Sequence, residues 1–546
     1  MQMLKYSSKY ILKYKLSFIT LIIFSILDAI LLALTPYISS KLIDSLVNIP
    51  SKKVIYSFVI IYFGIAMFQL LSQYVQIVNQ TRLIANASME LNKDMIKHMQ
   101  KLPLEFFSDK DLAYYNQRIY SDSSAVISFS VNTVLQLITN IIATSLTLYI
   151  VVKTNSYICL LFFIAIIIYS FQYKLTKKNL YVTNNELKEK QSEFYSILFE
   201  QLSNIKLIKI FNIFNIFDLK LKNSFERLYS TILKTQRVAF TFKSSQTILT
   251  AVVRIVLLII GGFQFLEGNM TIGTLSVLLS YFSSVIASAT SFIELGQGYI
   301  TNLVSFNRLK ELIIIEEEPN GNISLNEINT IKLEEITYGY KNKVLIENLN
   351  VNFEKGKIYC IHGHNGIGKT TLINVLLGLH HNYKGNVLIN DSIDLKTLDK
   401  YHFREKACSY ATQTALLFND TFYTNLTLNK KSFDRNYLKK FIKDFGLINK
   451  FKLDSIISMN GKNISGGEMQ KISLIRSFID DKDILIYDEP TSYLDINSKA
   501  YFLEYLSKIK ESKKSIIIII THDDDLKQIS DELIDLETFK WTKLYS

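Results

Sequence analysis

Gly363-His364-Asn365-Gly366-Ile367-Gly368-Lys369-Thr370 has the spacing G-x-x-x-x-G-K-S/T, the pattern of a loop that cradles phosphate. Glycines let the backbone curl until successive N–H groups point at phosphate oxygens. Lys369 can reach the outer phosphates, and the Thr370 hydroxyl, ahead of Thr371, can ligate magnesium. A Gly-rich turn that binds nothing is the plain alternative. The flanks argue against it: an apolar run at Lys357 to His362 predicts a strand, and Thr371 to Gly378 predicts a helix whose dipole favours an anion.

Four further sites suit the same chemistry. Ile484-Leu485-Ile486-Tyr487 reads as a buried parallel strand ending in Asp488 and Glu489. Asp488 can hold magnesium, and Glu489 can polarise an attacking water. Ser465-Gly466-Gly467 opens a helical stretch and forms an anion site there. His522 follows Ser515 and five isoleucines, where it can contact a γ-phosphate or its water. Gln413, in Tyr410-Ala411-Thr412-Gln413, can sense the metal or the water. A lone histidine or glutamine carries little; the order and spacing of the set carry the reading. Tyr340, at the end of a strand ahead of the phosphate loop, is an aromatic that can stack on a purine. Taken alone it reads as a core tyrosine.

The elements around these residues fall into two halves. Hydrophobic residues make up 49% of the 546 residues, and the apolar excess lies before residue 300. Mean hydropathy is +0.17, high for a soluble enzyme. Six segments, near 16–40, 55–78, 126–152, 157–173, 245–267 and 271–295, are long enough, or nearly so, to cross a bilayer. Short turns at Lys153-Thr154-Asn155 and Gly268-Asn269 predict two helical hairpins. The long connections 79–125 and 174–244 keep helical periodicity, so the membrane helices are expected to continue past the bilayer. Lys and Arg concentrate in them, which places these connections and both termini in the cytoplasm. Lys41, Lys52 and Lys53 sit awkwardly with that orientation, since their turn falls on the outer side. Met1 to Lys15 reads as an amphipathic entry segment; the apolar run after it is too long for a signal peptide and lacks a small-residue cleavage site.

The net charge of +12 admits a nucleic-acid binder. No basic run interleaved with aromatics occurs, so basic loops beside a bilayer account for it better, and no nucleic-acid partner is expected. Cys159, Cys360 and Cys408 fit neither a disulfide framework nor a zinc site and are expected to be buried. Asp28, Arg254 and Glu294 lie inside apolar runs. They are either substrate-contacting or gating groups, or else structural ion pairs and snorkelling residues. Two bends interrupt the connections: Lys101 to Phe107 with Ser108-Asp109-Lys110-Asp111, and Phe211 to Phe217. Apolar tips of this kind dock into partner surfaces or pack between helices.

With these motifs in this order, the chain resembles an ABC transporter of the exporter type, a half-transporter carrying one membrane domain and one ATP-binding cassette. The resemblance covers the whole chain. It implies a multidomain fold: an all-α six-helix transmembrane domain at 1–312, a linker at 313–330, and an α/β P-loop ATPase domain at 331–546. It also implies roles. Tyr340 stacks on adenine, Gly363 to Thr371 form Walker A, Gln413 is the Q-loop residue and Ile464 to Glu468 the signature. Asp488 and Glu489 are the Walker B aspartate and catalytic glutamate, Asp495 lies in the D-loop, and His522 is the switch histidine. The tips near 103–112 and 211–217 are coupling helices.

ATP and Mg2+ follow as cofactors. A second half-transporter follows as partner, as a homodimer or heterodimer, together with membrane lipids and an exported substrate. Two departures stand out. Ile464 and Glu468 replace the ends of the usual Leu-Ser-Gly-Gly-Gln, and Ser455 to Asn463 lack the charged stretch common before it. The Asn-Gly-x-Asn form is similar to exporters of bacterial peptides and bacteriocins. The expected function is ATP-driven export of a peptide or other amphipathic compound across a plasma membrane. The Lys-, Ile- and Asn-rich, Pro-poor composition places that membrane in an AT-rich bacterium. A lipid or drug exporter or flippase, or a membrane-bound sensor or immunity protein, are the alternatives. No Cys/His peptidase precedes the first helix, so leader trimming is not expected of this chain.

Overall fold

The computed structural model describes residues 2–48, 51–107, 112–340, 343–413, 415–429, 435–458 and 463–539. The chain divides into two compact units, residues 1–97 with 113–314, and 98–112 with 315–546.

The first unit is helical: α1 (Gln2–Ile11), α2 (Lys15–Asn48), α3 (Lys52–Met99), α4 (Leu112–Thr154), α5 (Ser156–Ser203), α6 (Ile205–Phe211), α7 (Phe214–Leu266) and α8 (Ile272–Ile314). Among the described residues, six helices contain windows apolar and long enough to cross a membrane. At about 1.5 Å per residue, the 48 residues of α3 extend roughly 70 Å, more than twice the ~30 Å of a hydrocarbon core. The long connections are therefore helix, as their periodicity predicts. Asn155 separates α4 from α5 and caps the latter, its side chain accepting from the N–H groups of Tyr157 and Ile158. α5 packs along α7, and α2 along α8. Phe162, Leu257, Tyr281 and Phe282 centre one core, and the Tyr281 hydroxyl donates to the Ala33 carbonyl at 2.7 Å. α2 continues through Pro36 without a break.

The second unit begins with β1 (Thr330–Tyr340), β2 (Lys343–Glu354), β3 (Ile358–His362), α9 (Lys369–Leu376), β4 (Tyr383–Ile389), β5 (Ile393–Asp394), α10 (Lys400–Lys406) and β6 (Cys408–Ala411). It continues with β7 (Asp420–Thr421), α11 (Phe422–Thr427), α12 (Arg435–Asp444), β8 (Ile456–Ile457), α13 (Gly466–Ile479), β9 (Ile484–Asp488), α14 (Ile496–Ser512), β10 (Ile516–Ile520), α15 (Asp524–Ile529) and β11 (Glu532–Asp535). A parallel sheet, ordered β11-β3-β10-β9-β6, forms the centre. An antiparallel sheet, ordered β2-β1-β4-β5, accompanies it.

The five isoleucines of β10 are all fully buried. β-Branched side chains suit a strand covered on both faces. Successive side chains point to opposite faces. Ile516, Ile518 and Ile520 therefore join the core with β1 and α9, while Ile517 and Ile519 join the core with Phe441, Phe478 and Phe502. Cys159, Cys360 and Cys408 are free and buried.

Candidate active site

β3, β10, β9 and β6 are sheet neighbours and run parallel, so the segments after them emerge at one edge, where open α/β sheets bind ligands. That topology gathers the phosphate loop, His522, Glu489 and Gln413 from positions far apart in sequence.

Within the loop, Gly366 has φ +83° and Gly368 φ +117°. A Cβ at Gly368 would lie 3.1 Å from the Tyr338 ring, and the Tyr338 hydroxyl donates to the Gly368 carbonyl at 3.2 Å. The turn is thus braced from the buried face of β1, a role the sequence does not disclose for Tyr338. Ile367 and Thr371 are buried, while His364, Asn365 and Thr370 are exposed. The His364 N–H donates to Glu537 at 3.2 Å. The Gly363 carbonyl accepts from Lys369 Nζ at 2.6 Å.

Lys369 Nζ also lies 3.0 Å from His522 Nε2. A lysine ammonium only donates, so Nε2 acts as acceptor there. The 3.6 Å approach of Nε2 to Glu489 is then a proximity rather than a hydrogen bond.

Asp488 is buried at the end of β9, which raises its carboxyl above the usual range. The Tyr410 hydroxyl, 3.3 Å away, the Lys369 charge and the Thr370 hydroxyl oppose that rise. Thr370 and Asp488 therefore meet: two hard oxygen donors of the kind magnesium accepts.

Glu489 has φ +48°, the left-handed region, which costs a non-glycine residue of order 1–3 kcal/mol. Both sides of its backbone are tied. Its N–H donates to the Ile520 carbonyl at 2.8 Å, and its carbonyl accepts from Gln470 Nε2 at 2.6 Å. The strained residue turns its carboxylate out of the sheet toward His522. Gln413 is exposed two residues beyond β6, whose last residue, Ala411, pairs with Tyr487 of β9. Tyr340 ends β1, and its side chain lies outside the described residues.

Ser465 caps α13 through a reciprocal box. Its hydroxyl accepts from the Glu468 N–H at 3.3 Å, and Glu468 accepts from the Ser465 N–H at 2.8 Å. The first N–H groups of the helix, on Gly466 and Gly467, have no intrahelical acceptor. No described hydrogen bond joins Ser465 to Gly467 with residues 363–371. Gln470 links this helix to the segment after β9, since its Oε1 accepts from the Tyr493 N–H at 2.9 Å. Asp495 caps α14 and pairs with Lys471, which holds its carboxyl at about 2. Met459 to Lys462, in the altered stretch before the signature, lie outside the described residues.

The first bend belongs to the same compact unit as the sheet. Glu105 Oε1 is 2.7 Å from His380 Nδ1, and Asn382 donates to Glu105 Oε2 at 2.9 Å. Glu317 pairs with His98 and Lys101, and the Glu318 N–H donates to the Lys101 carbonyl at 2.7 Å. Glu318 itself meets Arg404 at 2.5 Å and His381 at 3.7 Å. Ser108 to Asp111 lie outside the described residues. The second bend, at α6 and the start of α7, belongs to the helical unit and leaves Ile210, Phe211, Phe214 and Ile216 exposed.

Asp28 and Arg254 are given separate partners. Asp28 accepts from Ser72 at 2.7 Å and from Gln76, both on α3. Arg254 donates to Ser283 on α8 at 2.7 Å. The described ion pairs include none between the two.

Residues 18–289 match the family described as ABC transporter transmembrane region, and residues 346–492 the family described as ABC transporter. The chain belongs to the ABC transporter family. This transporter is 25% identical over 496 residues to the lactococcin-G-processing and transport ATP-binding protein LagD of Lactococcus lactis subsp. lactis, covering 86% of this chain and 68% of that protein. It is 24% identical over 457 residues to the ATP-dependent lipid A-core flippase of Wigglesworthia glossinidia brevipalpis, covering 79% and 75%. Its fold matches the structure of a bacterial Atm1-family ABC exporter with ATP bound, with TM-score 0.84 at 16% identity, over 97% of this chain and 94% of that one. The transporter is therefore a multi-pass membrane protein of the exporter type. Its cassette binds nucleotide and couples ATP hydrolysis to transport, and its half-transporter architecture implies a dimer.

Proposed function

We propose that this chain is one half of a dimeric exporter that moves a peptide or similar amphipathic compound out of a bacterial cell. The observation that carries the reading is the meeting of Lys369, Asp488, Glu489 and His522 at one sheet edge, with the Ser465–Gly467 turn hydrogen-bonded elsewhere. A turn that offers N–H groups yet does not join its own phosphate loop suits a nucleotide held by a second copy. The exposed apolar bend at Ile210 to Ile216 likewise suits a surface on that second copy. A homodimer needs nothing beyond this chain, which carries both Glu489 and an intact Ser-Gly-Gly. A heterodimer with a related half would use the same residues.

At the site, loop N–H groups and Lys369 bind the ATP phosphates. Magnesium would be held by Thr370 and Asp488, with Gln413 at the rim, and would supply charge neutralisation at the phosphates. Glu489 orients the water that attacks the γ-phosphorus as the bond to the β-phosphate oxygen breaks, giving ADP and phosphate. His522 stands where it can contact that phosphate. Tyr340 is assigned to the adenine and Asp495 to the dimer face. Closure on ATP draws the cytoplasmic extensions together and opens the cavity outward, and hydrolysis resets it.

The cassette and both termini are assigned to the cytoplasm on the basic character of the two long connections. Peptide cargo follows the lactococcin-G relative and the Asn-Gly-x-Asn form; the lipid A-core flippase relative supports lipid as the second reading. Glu489→Gln tests the core of the proposal. ATP binding should persist while turnover falls by at least ~100-fold; unchanged turnover in the purified protein would sink it. Uptake of labelled peptide or lipid into inverted vesicles, with ATPase stimulation by each, decides the cargo.

A further inference from the structure

The signature turn of this chain contains a carboxylate, Glu468, in the first turn of the helix assigned to the terminal phosphate of the facing nucleotide. An uncompensated negative charge there would repel that phosphate. Both Glu468 oxygens are engaged. Oε2 accepts from the Ser465 N–H at 2.8 Å, and Oε1 accepts from Lys450 Nζ at 2.5 Å. The Glu468 side chain is 14% exposed and that of Lys450 57% exposed. Lys450 lies in the short turn after Leu447, on a segment separate from α13 in sequence.

We propose that Lys450 is a positioning residue for ATP turnover: it holds the Glu468 carboxylate back on the Ser465 box and offsets its charge, leaving the turn attractive to a terminal phosphate. The proposal rests on the reading that Ser465–Gly467 completes the facing chain's site. With the carboxylate folded back, the Ser465 hydroxyl hydrogen and the Gly466 and Gly467 N–H groups remain available as donors. With Lys450 removed, the box persists but carries a net charge beside the phosphate. An ion pair serving stability alone would contribute little, because Lys450 is largely solvated. The two roles therefore predict different measurements.

ATPase activity of the full-length protein, measured against ATP concentration, separates them. Lys450→Met should raise KM for ATP roughly three- to tenfold with kcat much less affected, since the charge acts on phosphate binding. Lys450→Arg should restore the KM. The double variant K450M/E468Q should also restore it, because glutamine keeps an acceptor for the Ser465 N–H and carries no charge. An unchanged KM in K450M, or a KM that E468Q does not rescue, overturns the proposal. Gly466→Asp tests the underlying reading separately: it should abolish turnover through the facing site. If Gly466→Asp is inactive while K450M is normal, only the role of Lys450 falls. If Gly466→Asp turns over normally, the shared-site reading itself falls.

Discussion

Glu105 and His380 meet at 2.7 Å, joining the bend between α3 and α4 to the turn that follows the phosphate-loop helix. His380 is 2% exposed, and its N–H donates to the Asn374 carbonyl of α9. One short helix thus separates Lys369 from a side chain gripping the bend. If this grip transmits closure, Glu105→Ala should leave ATP hydrolysis within a fewfold of normal while transport per ATP falls about tenfold. His380→Ala should match it, and the double variant should add little. Independent, additive losses would show that the two residues do not act as a pair.

Gln470 predicts a different phenotype. Its amide holds the Glu489 carbonyl, and the strain at Glu489 persists only while its backbone is pinned. Gln470→Ala should lower kcat roughly tenfold or more while nucleotide affinity changes little, because the carboxylate is misplaced and the phosphate loop is not. Loss of nucleotide binding in equal measure would contradict this.

Glu318 supplies a pH prediction. Burial alone would raise its carboxyl, but His381 and Arg404 hold it at about 2. A folded value below the unfolded one gives stability that is present above the ordinary carboxylate range and is lost as pH falls through it toward 2. Glu318→Gln should therefore lower the Tm at pH 7, with Arg404 left beside a neutral amide, by an amount on the order of several degrees. That deficit should shrink between about pH 5 and pH 2. A deficit independent of pH in detergent-solubilised protein would refute the assignment.

Phe211 and Phe214 are 67% and 50% exposed. Replacing both with serine should leave the Tm almost unchanged, since surface substitutions shift stability by only about 0.5 kcal/mol. Drug- or peptide-stimulated ATPase should fall if these rings dock on the facing chain. A large drop in Tm with normal stimulation would place them in an internal core instead.

The sequence makes β3, β9 and β10 legible because a buried parallel strand is a continuous apolar run, and each leads within two residues to one with chemistry: Gly363, Glu489 or His522. The helical unit is legible from periodicity and from the turns at Asn155 and Gly268. The ties that hold the site are not. Gln470 to Glu489, Lys450 to Glu468 and Glu105 to His380 are contacts between ordinary polar residues with no local pattern. Nor does the sequence reveal that Tyr338, one turn of strand before Tyr340, braces Gly368. Asp28 and Arg254 looked alike as charges in apolar runs; only tertiary packing gives them different neighbours.

Gln470 bonds to Glu489 on one side and to Tyr493 on the other, while its helix begins at the Ser465 turn. Within one chain, the acid proposed to serve the chain's own nucleotide and the turn proposed to complete its neighbour's are mounted on the same short truss. By linkage, any preference the turn has for one geometry of Glu489 is returned in full by Glu489 upon the turn. Two such chains face to face would form a closed loop of four mutually informed positions, so neither nucleotide could be spent in private.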